Sequence, residues 1–113
     1  MRLEARKYLF DIQQAVDRIT RFCEGKKFED YRGDDLLRSA VERQFEIMGE
    51  ALSQLAKDDP AVAEQITDYR KIIAFRNILI HAYATVDDRI VWGVVEGDLP
   101  ALWASLRRLL PAS

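Results

Sequence analysis

An all-α fold, an antiparallel bundle of four to five helices, is what this sequence predicts, and three observations carry the prediction. Apolar residues recur at steps of three and four along most of the chain, the period of a helix that buries one face. The five glycines and three prolines fall mostly between these periodic segments, where they punctuate helices. With 49% hydrophobic and 32% charged residues, the chain has enough apolar side chains to fill a core, and its charges suit the outer faces of amphipathic helices.

The first helix is predicted from about Leu3 to Phe22, with Leu9, Ile12, Val16, Ile19 and Phe22 on one stripe, and Gly25 ends it. Residues 24–33, EGKKFEDYRG, read as a polar connection that Phe28 and Tyr31 pin to the bundle. Asp34 or Asp35 caps a long second helix from about Asp35 to Lys57, in which Leu36, Leu37, Ala40, Val41, Phe45, Met48, Ala51, Leu52 and Leu55 recur at helical spacing. Gly49 lies inside it, where glycine costs about 1 kcal/mol against alanine, so a close approach by a neighbouring helix is expected there. Asp58, Asp59 and Pro60 break this helix and start a short third one. Thr67 or Asp68 then introduces a helix from about Tyr69 to Tyr83. The last part, Asp87 to Leu110, reads as one helix through Val95, a turn near Gly97 and Asp98, and a final helix opened by Pro100.

These 113 residues fit one domain, 1–113, with no room for a second independent core. The single cysteine, Cys23, forms no intrachain disulfide and has no neighbours at metal-ligand spacing, so neither a metal nor another cofactor is expected, and a reducing cytoplasm is. The opening MRLEARKYLFDIQQAV carries charges through its apolar pattern, unlike a signal peptide, and no later window approaches a membrane span. A net charge of −2 excludes binding of polyanions by bulk electrostatics, so any nucleic-acid contact must be local. The small basic clusters at Arg2, Arg6 and Lys7, at Lys26 and Lys27, and at Arg107 and Arg108 read as solvated helix faces.

Chemistry concentrates in residues 75–87, FRNILIHAYATVD. Arg76, Asn77, His81 and Tyr83 lie there beside an apolar side made of Ile72, Phe75, Ile78, Leu79 and Ala82. Tyr83 follows Arg76 by two turns, nearly in line, and Asn77 and His81 are an i, i+4 pair, so the four can border one groove. His81 is the only histidine, the side chain best suited to exchange a proton near neutral pH, and Arg76 offers a planar fork for phosphate oxygens. Each residue also has an ordinary reading: a structural histidine, a surface ion pair, an asparagine bracing the histidine and an aromatic at the core's edge. Periodicity alone leaves a helical domain of unassigned activity.

The spacing arginine, four residues, histidine, one residue, tyrosine, here Arg76, His81 and Tyr83, resembles the signature of the HEPN fold in HepT-like toxins. Phe28 followed by AVERQFEIMGEA, Ala40 to Ala51, is similar to that family's second-helix pattern. Val86-Asp87, Val91-Trp92 and Leu99-Pro100-Ala101-Leu102 are similar to its C-terminal one, so the resemblance covers nearly the whole chain. It implies a metal-independent endoribonuclease with Arg76 and His81 in the active site and Asn77 in support, acting on an RNA substrate and leaving 2′,3′-cyclic phosphate ends. It further implies a homodimer whose signature helices face a common cleft, with a larger assembly compatible. The implied partner is a minimal nucleotidyltransferase antitoxin that silences the toxin by transferring adenylate to Tyr83. Two other readings fit the same residues: a non-catalytic HEPN module binding RNA, nucleotide or a nucleotidyltransferase, and a structural helical dimer. No base-reading element is recognisable, so transfer RNA and messenger RNA are equally compatible.

Overall fold

The computed structural model describes residues 1–82 and 85–110. Four helices of eleven residues or more build it: α1 (Leu3–Cys23), α3 (Asp35–Asp58), α5 (Tyr69–His81) and α7 (Leu99–Leu109). Three short ones, α2 (Phe28–Arg32), α4 (Pro60–Ala63) and α6 (Asp88–Gly93), lie between them, and no strand occurs among the described residues. The fold is the all-α antiparallel bundle that the periodicity predicts. Its buried side chains form one contiguous cluster.

Each helix buries the stripe that its sequence spaces out. α1 turns Ala5, Leu9, Ile12, Val16 and Ile19 inward, and the chain leaves it through Gly25 at φ 72°, a left-handed conformation that glycine adopts without penalty. α3 starts at Asp34, whose Oδ1 accepts from the Leu37 backbone N–H at 3.1 Å, which settles the cap between the two aspartates. Leu36 does not join the buried stripe and is exposed. Asp59 closes α3 and caps α4, accepting from the Val62 N–H at 3.3 Å, with Pro60 in the first turn where its missing N–H costs nothing. Arg2 ahead of α1 donates to the Asp58 carbonyl at the end of α3, so these two helices run antiparallel. α5 returns along α3, with Phe75 edge-on to Phe45 at a ring separation of 5.1 Å.

Two segments differ from the reading of the sequence. Residues 24–33 contain α2 where a plain connection is expected, because Asp30 accepts from the Lys27 N–H at 2.8 Å and closes one helical turn. Tyr31 and Phe28 do pin this segment: Tyr31 is fully buried against Trp92, ring centres 5.4 Å apart, and the Arg89 guanidinium lies over Phe28. The turn expected near Gly97 and Asp98 is absent. Residues 94–98 instead form a widened, π-type turn that joins α6 to α7 without reversing the chain, and the Leu99 N–H reaches back five residues to the Val94 carbonyl. Pro100 explains it, since its ring removes a donor and crowds the carbonyl four residues earlier, and the wider register relieves both. No helix among the described residues is long and apolar enough to cross a membrane.

Candidate functional site

The rotation of α5 is fixed by Ile72, Phe75 and Leu79, all buried against the bundle. Its start carries no side-chain cap, and Asp68 takes a left-handed conformation at φ 59°. The preceding Thr67 is held from α7 instead: its N–H donates to Ser105 Oγ at 3.1 Å, and Ser105 Oγ donates to Thr67 Oγ1 at 3.0 Å. At about 100° per residue, Arg76 falls at one edge of the buried arc and Ile78 at the other, while Asn77 and His81 fall opposite it. Ile78, expected on the apolar side, is accordingly 53% exposed, because no helix among the described residues covers that edge.

Arg76 lies across α3 at Gly49. A Cβ on Gly49 would stand 2.3 Å and 2.6 Å from Cβ and Cγ of Arg76, so the close approach expected at this glycine is real, and what approaches is the stem of the arginine. Nη2 of Arg76 donates to Glu50 Oε2 at 2.7 Å, and Nη1 donates to Asn77 Oδ1 at 3.0 Å. Nε is buried with no partner among the described residues. Asn77 therefore braces Arg76 and not His81. The Arg76 side chain is 25% exposed and borders a groove of about 320 Å³ between α1, α3 and α5, lined also by Tyr8, Asp11, Arg43, Glu46 and Glu50. Its carboxylates each have a cation: Asp11 pairs with Lys7 at 2.7 Å, Glu46 with Arg43 at 3.4 Å and Glu50 with Arg76. Phosphate attraction here depends on direction of donors, since local charge is balanced.

His81 is the last residue of α5 and is exposed. Five residues of helix put it about 140° round the axis and about 7.5 Å along from Arg76, so one chain does not bring the two side chains together. Tyr83 lies outside the described residues. Sequence reasoning missed Glu50, Arg43 and Tyr8 as neighbours of Arg76. Gly49 was the available signal, because a glycine kept in mid-helix marks where another element touches, and Glu50 is the next residue.

A second, apolar cavity of about 440 Å³ lies between α1 and the start of α7, lined by Val16, Thr20, Cys23, Leu99 and Trp103. Burial pushes the Cys23 thiol up to about 11, which disfavours the thiolate at neutral pH. No cluster of three or more metal-ligating side chains occurs among the described residues.

The family described as ribonuclease HepT-like matches residues 12–109 of this chain. A protein of Thermococcus cleftensis named as a probable ribonuclease HepT is 35% identical over 96% of this chain and 98% of its own length. A protein of Caldanaerobacter subterraneus subsp. tengcongensis that carries an RNase name is 31% identical over 93% of each chain. Another RNase-named protein, of Methanocaldococcus jannaschii, is 27% identical over 88% of this chain and 90% of its own. No solved structure matches the chain.

Proposed function

The chain belongs to the ribonuclease HepT-like family, and from that premise we propose that it is a cytoplasmic, metal-independent endoribonuclease toxin, one domain over residues 1–113. The observation that carries the reading is Arg76, clamped on α5 with donors at the edge of a groove, five residues before the chain's only histidine. RNA supplies its own nucleophile. The 2′-hydroxyl oxygen bonds to the adjacent phosphorus, the bond from phosphorus to the 5′ oxygen breaks, and the products are a 2′,3′-cyclic phosphate and a 5′-hydroxyl. His81 takes the proton from the 2′-hydroxyl, and a second proton-transfer group gives one to the leaving oxygen. Arg76 stabilises the charge developing on the phosphate oxygens; a guanidinium has five N–H donors, of which Glu50 and Asn77 engage two. No metal is required by these steps.

The separation of Arg76 and His81 within one chain supports the expected homodimer. Pairing of two copies through α5 would bring two arginines and two histidines around one cleft and supply the second proton-transfer group that a single chain lacks. Adenylate transferred to Tyr83 by a minimal nucleotidyltransferase would add phosphate charge and bulk seven residues after Arg76 in the sequence, opposing the binding of RNA. A gain of adenylate mass, absent in Tyr83→Phe, would report that step.

Proton transfer is worth about 10²–10⁴-fold, so His81→Ala should lose cleavage by that much while folding normally, since the residue is exposed. Cleavage at the parent's rate would remove His81 from the mechanism. The second reading, a non-catalytic binding module, draws on the same Arg76–Glu50 pair, which already engages the arginine. RNA binding without cleavage by unmodified protein would favour it.

A further inference from the structure

We propose that Gly49 and Glu50 are positioning residues for Arg76, together fixing the plane of its guanidinium; the inference rests on the ribonuclease reading for its effect on rate, and on geometry alone for the placement itself. Arg76 is held at three points from two helices. Its stem occupies the notch that only a residue without Cβ leaves open at position 49. Its Nη2 is held by Glu50 and its Nη1 by Asn77, which fixes a planar group at two corners. Its Nε edge is buried. One hydrogen on each Nη is left for a phosphate.

Helix stability does not explain these two residues. Glycine in a helix interior is unfavourable, and an ion pair whose members are 25% and 50% exposed adds little to folding. The glycine is nevertheless in mid-helix, directly against the one arginine that the chemistry needs, and the next residue is its carboxylate partner. A long arginine side chain free in a groove would spend most of its time away from the reacting phosphate, so holding it in place acts on kcat. Glu50 has an opposing effect, because its negative charge stands near the position of an incoming phosphate. Placement dominates if removal slows the reaction, and repulsion dominates if removal only tightens binding.

Single-turnover cleavage of RNA by the full chain, across a concentration series, separates the two. Misplacement of about 1 Å can cost roughly 100-fold, so Glu50→Ala should lower the maximal rate by up to that factor. Glu50→Gln, which keeps an acceptor oxygen without the charge, should recover about tenfold of it, by the weaker neutral hydrogen bond. In parallel, the side-chain Nε–H of Arg76, assigned by its loss in Arg76→Lys, should give a slowly exchanging ¹⁵N–¹H signal in the parent and Glu50→Gln, and a rapidly exchanging one in Glu50→Ala. An unchanged or higher maximal rate in a folded Glu50→Ala, or a protected Nε–H in that variant, overturns the proposal. If the parent cleaves no RNA, the ribonuclease reading fails, and the exchange of Nε–H still decides the placement. Gly49→Ala gives a second route to the same displacement, with circular dichroism verifying its fold.

Discussion

At the scale of single residues, Glu42 shows how the bundle responds to pH. Partial burial, helped by Asp88 and Glu46 and opposed by Arg38, raises its carboxyl above the ordinary 4.5. The folded chain thus binds this proton more tightly than the unfolded one, so stability falls as pH rises from 4.5 through the raised value. Glu42→Gln should raise the thermal midpoint at neutral pH and flatten that decline; a lower midpoint at pH 7 would contradict it. The placement of Arg76, Asn77 and His81 on one helix was legible in the sequence because helical spacing needs no knowledge of packing, while their proposed roles came from the family resemblance. Glu50 was not, since a pair between two helices depends on which faces meet. Gly49 was legible as a contact, though not as a contact with the arginine, and Asn77 proved to brace Arg76 where the spacing suggested His81.

At the scale of elements, α5 depends on α7 for its start. Ser105 is buried, accepts from the Thr67 N–H and donates to Thr67 Oγ1, and so satisfies the turn before a helix that lacks its own side-chain cap. Ser105→Ala removes that acceptor from an N–H on an exposed residue and should cost about 0.5–1.5 kcal/mol in chemical denaturation. A change within a few tenths would show that the link does not anchor α5. The long helices were readable because their stripes repeat over several turns. α2 was not, because five residues are too few to show a period, and its Asp30 lock on Lys27 is local chemistry common to loops. The π-type turn was read as a turn between two helices, since Gly97, Asp98 and Pro100 are also turn residues, whereas the backbone stays helical there.

At the scale of the whole molecule, the antiparallel bundle sets α5 with one edge on α3 and the other uncovered, so Arg76 is held inward while His81 and Ile78 face out. In the proposed homodimer, pairing through α5 would complete the site from two chains; the groove of one chain is electrically balanced by its own ion pairs. The central claim is a metal-independent ribonuclease acting through Arg76 and His81. Its most direct test is cleavage of a mixed cellular RNA pool in excess chelator by unmodified protein beside folded His81→Ala, with the chemistry of the new ends determined. The account predicts 2′,3′-cyclic phosphate ends from the parent alone; no cleavage by either protein, with Tyr83 free of adenylate, or cleavage that returns only with added metal, would contradict it.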